Sequence, residues 1–198
     1  MEFSRRPLVS CRVVVVVLAL VALVRCPVAR AQVTAQTLIG KAVSDESQTK
    51  EITNAIARFR DRDIDGCRAV LDRARTNNAK LPPPGVMMSM LWLSVNQLQQ
   101  ARGELEDTAV KFPGDPEPYL MLGDLAFQER RITDAAVLFD KATALTAAFA
   151  DNAKRKRDFE IRCNAGSAAV AEARKLWETA QKYLAKWLEL DPDNASAH

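Results

Sequence analysis

A fixed interval between residues of the same kind constrains the fold of this chain more than any other feature of its sequence. Ile64, Leu98 and Ile132 are equally spaced, and three further sets of apolar or small residues repeat the same spacing. These sets are Cys67, Ala101 and Ala135, then Leu71, Leu105 and Phe139, then Ala74, Thr108 and Ala142. Self-similarity at one fixed period is typical of a chain that stacks copies of a single supersecondary unit.

Each copy of the unit contains two apolar stretches with helical periodicity, separated by a short polar turn. In the clearest copy, the first stretch covers residues 117–129 and the second begins at Ile132 and ends near Leu145. Apolar or small side chains recur along the two stretches at helical spacing, at Tyr119, Leu122, Gly123, Ala126, Ala135, Phe139 and Ala142. No alternating strand pattern competes, so the sequence predicts a helix–turn–helix unit.

These residues resemble the tetratricopeptide repeat (TPR), a unit of about 34 residues. The signature of that family has an aromatic residue and Leu-Gly on the first helix, then Ala, Phe and Ala on the second, and a closing proline. The copy that begins at Pro82 matches it through Met88, Ser89, Trp92, Ala101, Leu105 and Pro113. The resemblance implies an all-α helix–turn–helix repeat solenoid. Because the family shares an architecture and not a reaction, the resemblance alone does not specify a function. Our first hypothesis is a non-enzymatic scaffold for protein–protein contacts.

The repeat interval divides the chain into predicted segments. They are a signal peptide at 1–31, an N-terminal extension at 32–47, repeats at 48–81, 82–115 and 116–149, an extended repeat at 150–194, and the start of a further repeat at 195–198. In the first repeat, the first helix must shift by one residue to present apolar side chains, which makes its turn one residue shorter. The packing face then carries Ile52, Ala55, Ile56 and Phe59.

The fourth copy is stretched, since Trp177 follows Ile132 at a larger interval than the one that separates Ile132 from Leu98. The insertion of about 11 residues corresponds to about three helical turns, so it lengthens helices without rotating their apolar stripes. We expect helices at 149–164 and 168–190, joined by a turn at Asn164-Ala165-Gly166-Ser167. Because a repeat boundary and the start of another repeat follow, we expect the parent protein to continue beyond residue 198.

The N-terminal segment 1–31 has the pattern of a secretory signal peptide. Arginines precede an uninterrupted apolar run from Val13 to Val24, and Ala29-Arg30-Ala31 supplies a cleavage site before Gln32. Removal of this segment, which holds five arginines and one glutamate, changes the net charge from +3 to near −1. We therefore expect an exported protein, periplasmic or secreted, with no nucleic-acid partner. The alternative is a membrane protein anchored by the uncleaved segment.

The sequence contains no constellation for catalysis, so we predict no enzyme activity, no cofactor and no metal site. His198 is the only histidine, which excludes a histidine-based triad within this chain. Cys67 occupies a column of small residues, so we predict a buried structural thiol. The basic run Lys154-Arg155-Lys156-Arg157 predicts a solvated helix face in preference to a site for an acidic partner, because Asp151, Asp158 and Glu160 flank it.

The helix over residues 86–93 is apolar on all sides, which indicates either burial or an interaction surface. The resemblance places six residues on a concave groove, namely Val86, Met90, Leu93, Leu120, Asp124 and Phe127. An amphipathic helix or extended apolar peptide from a partner protein could occupy the groove, or residues 33–43 of the chain itself could cover it. The repeats could also form a self-filled structural domain with no groove ligand.

A competing hypothesis makes the chain an N-terminal docking module. In that case a larger enzyme or assembly factor carries its active part beyond residue 198. The lysines and asparagines that clamp a chaperone's C-terminal carboxylate in some TPR domains are absent from the groove positions of residues 86–93. We therefore do not predict that partner.

Overall fold

Nine helices and no strands make up residues 34–39 and 46–193, which are the residues that the computed structural model describes. The helices are α1 (Ala35–Ile39), α2 (Glu46–Arg60), α3 (Ile64–Asn77), α4 (Pro84–Ser94), α5 (Leu98–Lys111), α6 (Glu117–Gln128), α7 (Ile132–Ala148), α8 (Ala153–Ala173) and α9 (Trp177–Leu190). From α2 onward they form four consecutive pairs. The predicted all-α helical repeat solenoid is confirmed.

The same three-residue turn joins the two helices of every pair. Its middle residue has a positive φ of 60° to 64°, at Arg62, Asn96, Arg130 and Lys175. In each turn the next residue donates its N–H to a carbonyl five residues earlier, as Asp63 does to Arg58 at 2.9 Å. This is the Schellman motif, which satisfies carbonyls at a helix C-terminus. The first turn is therefore as long as the others, and the prediction that it is one residue shorter is wrong.

The four residues predicted for the packing face of the first helix of repeat 1 are buried, but the predicted shift in register is wrong, because the turn keeps the length of the others. Ile52 and Ala55 are fully buried, and Ile56 and Phe59 are 5% and 8% exposed. The Phe59 ring meets the Trp92 ring of α4 edge to face, with centroids 4.9 Å apart. Repeat 1 therefore packs on repeat 2 through this face.

The fourth pair differs from the prediction in where its turn lies. The turn is at residues 174–176, after α8, and not at Asn164–Ser167. The extra residues lengthen α8 to 21 residues, against 12 in α6, and α7 to 17 residues, against 14 in α5. Gly166 therefore lies inside a helix.

Gly166 is required for close packing, which explains a glycine within a long helix. A Cβ atom at Gly166 would lie 2.5 Å from the ring of Phe139, and one at Gly123 would lie 2.8 Å from the same ring. The large side chain that α7 presents is accommodated because α6 and α8 both have no side chain at the contact. The sequence predicts a turn at Gly166, whereas the role of this glycine is steric.

Three of the four repeated columns of the second helices are buried in the first three pairs, whereas Leu98 in the first column is 39% exposed. Cys67, Ala101 and Ala135 are fully buried, and their counterpart in α9, Ala180, is 3% exposed. The predicted buried thiol is confirmed, and burial raises the pKa of Cys67 to about 11. In α9, however, Leu184 is only partly buried, while its counterparts Leu71, Leu105 and Phe139 are at most 2% exposed. The packing face of the fourth pair is therefore partly open.

Gly166→Ala should lower the free energy of unfolding by about 1 kcal/mol or more, because its methyl group would overlap the Phe139 ring. Gly103→Ala is the matched control, since a Cβ there meets no atom within 4 Å. It should raise the free energy of unfolding by about 0.5–1 kcal/mol through helix propensity. Urea denaturation followed by circular dichroism measures both. Equal effects of the two substitutions would contradict the steric role of Gly166.

Candidate interaction surface

The six predicted groove residues do not share one environment. Val86 and Leu120 are fully buried, so they offer no surface to a partner. Met90 and Leu93 on α4 and Phe127 on α6 are partly exposed, and we call these three the apolar strip. The two helices that carry the strip are adjacent, since the Ser89 hydroxyl oxygen lies 3.8 Å from the Met121 sulfur. Val86 and Leu120 are buried because both fill the space between neighbouring helices.

In repeat 1 the same columns are buried in a cluster that α1 joins. Ile56 and Phe59, which precede Met90 and Leu93 by one repeat interval, are buried in one cluster with Ala35 and Leu38 of α1. Leu38 is fully buried, and α1 packs against both α2 and α4. Ala35 and Leu38 thus pack at repeat 1, whereas Met90, Leu93 and Phe127 of the predicted groove stay partly exposed, so coverage of the groove by residues 33–43 stays a prediction. Residues 33 and 40–43 lie outside the described residues.

Asp124, the sixth predicted residue, belongs to a charged contact with α8. Its side chain is 49% exposed and accepts a hydrogen bond from Arg162 at 3.1 Å. Burial raises the pKa of the Asp124 carboxyl, while Arg162 opposes that rise. The apolar strip is therefore bounded on the side of α8 by an ion pair rather than by another apolar side chain.

A buried arginine network lies behind this contact. The Arg155 guanidinium, 7% exposed, donates to the carboxylates of Asp115 at 3.1 Å and Glu117 at 2.8 Å. Its central carbon lies 5.3 Å from the ring centroid of Phe149 and 5.0 Å from that of Phe159. Both rings face a cation, so each adds a cation–π attraction to the two ion pairs. The network joins the start of α6 to the start of α8.

The charged groups of this network change each other's pKa. Burial raises the pKa of Glu117, because it penalises the ionised carboxylate, and Arg155 and Arg162 act in the opposite direction. Burial alone would lower the pKa of Arg155, but Glu117 and Asp115 raise it overall. Arg155 therefore remains charged, and its ion pairs are what makes burial of the carboxylates tolerable.

The basic run is a solvated helix face at Lys154 and Arg157, which are exposed, but not at Arg155. Arg155 is buried, and its partners are Asp115 and Glu117, at the start of α6, rather than the flanking acidic residues. Lys156 donates to the Ala147 carbonyl at 3.2 Å and Arg157 to the Leu190 carbonyl at 2.7 Å. These two carbonyls lie at the C-terminal ends of α7 and α9, where positive side chains are favourable. The run holds helix ends together.

The described part of the chain contains neither a metal site nor a membrane-spanning helix. No group of three or more His, Cys, Asp or Glu side chains is placed to hold a metal ion within residues 34–39 and 46–193. Over the same residues, no helix combines the length and apolar character that crossing a membrane requires.

Comparison with known proteins agrees with this architecture. A chain in the crystal structure of the APC/C hetero-tetramer Cut9-Hcn1 is similar, with a TM-score of 0.54 and 19% sequence identity. The match covers 76% of this chain and 28% of that chain. At this identity the likeness shows the TPR-like repeat fold alone. No protein-family model and no curated protein matches the sequence.

Arg155→Met should lower the free energy of unfolding by about 3–5 kcal/mol, because it leaves the buried carboxylates of Asp115 and Glu117 without their main partner. Arg73→Met, at an exposed position of α3, should change it by less than about 0.5 kcal/mol. Chemical denaturation of the two variants measures the difference.

A triple variant separates the unpaired charge from lost packing. Adding Asp115→Asn and Glu117→Gln to Arg155→Met should recover part of the loss, since no unpaired carboxylate then remains buried. If Arg155→Met is as stable as Arg73→Met, the network does not stabilise the fold.

Proposed function

We propose that this chain is an exported, non-enzymatic scaffold that binds a partner protein through the apolar strip. One observation carries the proposal. Met90 and Leu93 are partly exposed at positions whose counterparts in repeat 1, Ile56 and Phe59, are buried in the cluster that Ala35 and Leu38 of α1 join. A short helix of the chain thus packs on the helix that carries two of these columns.

The chemistry of the strip favours an amphipathic helix or an apolar segment as the partner. Such segments bind by laying an apolar face against a hydrophobic surface, with anchors at helical spacing. Methionine suits this task because its flexible, polarisable side chain adapts to apolar partners of different shape. The strip itself carries no charge, so the chemistry of recognition there is apolar.

A second candidate function is that of an N-terminal docking module in a larger enzyme or assembly factor. The partly open face of α9 favours it, because Leu184 and Trp187 occupy columns that a following repeat covers elsewhere in the stack. The coding sequence beyond residue 198 decides between the two. A catalytic motif there would favour the docking module, and further repeats alone would favour the scaffold.

Met90→Glu combined with Leu93→Glu should abolish partner binding, because two carboxylates would be desolvated at the contact. Val110→Glu combined with Val137→Glu is the matched control, since these valines are 81% and 64% exposed on second helices. A photo-cross-linker at position 93 captures the partner, which mass spectrometry then identifies, and a cross-linker at position 110 is the control. Titration with the identified partner then compares the affinities of the two double variants.

The circular dichroism spectrum decides how a loss of binding is read. Binding that is lost while the helical signal is kept supports the strip as the binding site. Loss of the helical signal would show that Met90 and Leu93 are core residues, and binding equal to that of the control would exclude the strip.

The proposed export predicts a defined new N-terminus. N-terminal sequencing of the protein isolated from outside the cytoplasm should begin at Gln32, after Ala29-Arg30-Ala31. A retained N-terminus in the membrane fraction would favour the anchored form instead.

A further inference from the structure

We propose that α1 is an intramolecular ligand of the scaffold, and that the external partner displaces it with a short amphipathic helix of the same pattern. That pattern is a small residue followed three positions later by a leucine, as in Ala35 and Leu38. This inference rests on the proposed function and identifies the kind of partner that the site takes.

The structure of α1 is that of a docked peptide. It is 5 residues long, far shorter than an isolated helix needs for stability in water, so its contacts must hold it helical. Ala35 is 7% exposed and Leu38 is fully buried, whereas Thr34 and Thr37 are exposed. Residues three apart lie on one side of a helix, so Ala35 and Leu38 form a single contact face.

The surface beneath α1 continues into the apolar strip. Leu38 shares a buried cluster with Ile52, Ile56 and Phe59 of α2, and Met90 of α4 packs against that same cluster. We call the surface of α2 and α4 that α1 contacts the seat of α1. Because Met90 of the strip also packs against the cluster that α1 joins, the seat and the strip belong to one apolar surface. A partner helix longer than α1 would therefore gain the strip and the seat together.

The contact of α1 has the properties of a reversible one. The buried side chains described in it are Ala35 and Leu38, and against their gain stands the conformational entropy of ordering the segment. The proposal therefore includes an undocked state, and a competing helix binds that state. The apparent affinity for the partner is then proportional to the fraction of molecules in which α1 is undocked.

The test uses a fluorescein-labelled peptide of residues 32–44 and the full chain. Fluorescence anisotropy compares its binding to the unaltered chain and to the Leu38→Asp variant, in which α1 cannot dock. We expect the peptide to bind the variant at least ten-fold more tightly. The control is the full chain with Thr37→Asp, a substitution at an exposed position of α1. This chain should bind the labelled peptide as weakly as the unaltered chain does.

A second peptide tests whether the added peptide makes the same contact that α1 makes within its own chain. A labelled peptide that itself carries Leu38→Asp should not bind the variant chain, because it lacks the leucine that fills the seat. Equal affinity of the normal peptide for the unaltered chain and the Leu38→Asp chain, or no binding to either, would overturn the proposal.

Three further outcomes decide between α1 as a ligand and α1 as part of the core, and between this inference and the scaffold function. If Leu38→Asp causes a loss of helical signal larger than a five-residue helix can give, α1 is part of the core and not a ligand. If Met90→Glu with Leu93→Glu loses the natural partner while Leu38→Asp leaves its affinity unchanged, the scaffold function stands and this inference fails. An affinity for the natural partner that rises in Leu38→Asp supports both.

Discussion

Burial of each repeat by its neighbour is the constraint on which the structure depends. A helix pair leaves one apolar face that it cannot cover itself, so stability accumulates only through stacking. The residues that show this are Leu71, Leu105 and Phe139, which are at most 2% exposed, and Leu184, which has no following repeat above it among the described residues and stays partly exposed. The packing face of the last described pair therefore stays partly open.

The junction between the third and fourth pairs shows how a long helix is added without breaking the stack. Phe139 is larger than the leucines in its column, and the chain compensates with Gly123 on one neighbouring helix and Gly166 on the other. The extended start of α8 then meets the start of α6, where Arg155 joins two buried carboxylates. Packing thus fixes the separation of the helices, and the ion pairs tie the start of α8 to that of α6.

Periodicity in the sequence was sufficient for the fold because the buried columns repeat at one interval. It was insufficient wherever the decisive contact joins different helices. The spacing of Gly166 cannot reveal that a phenylalanine on the preceding helix fills the space beside it. In the same way, the acidic residues flanking Arg155 hid partners that lie two helices earlier, at the start of α6. For Val86 and Leu120, the family columns predict a place on a groove, whereas neighbouring helices bury both side chains completely.

The size of the apolar strip limits what it can bind unaided. Complete burial of three large apolar side chains contributes about 1.5–3 kcal/mol each, and Met90, Leu93 and Phe127 are already partly buried. Association costs about 4–15 kcal/mol in lost translational and rotational freedom, so the strip by itself supports only weak binding. The ion pair of Asp124 and Arg162 closes the surface towards α8, which leaves the seat of α1 as the apolar area into which a contact can extend. We infer that a partner which binds at the strip and extends its contact in this direction competes with Leu38.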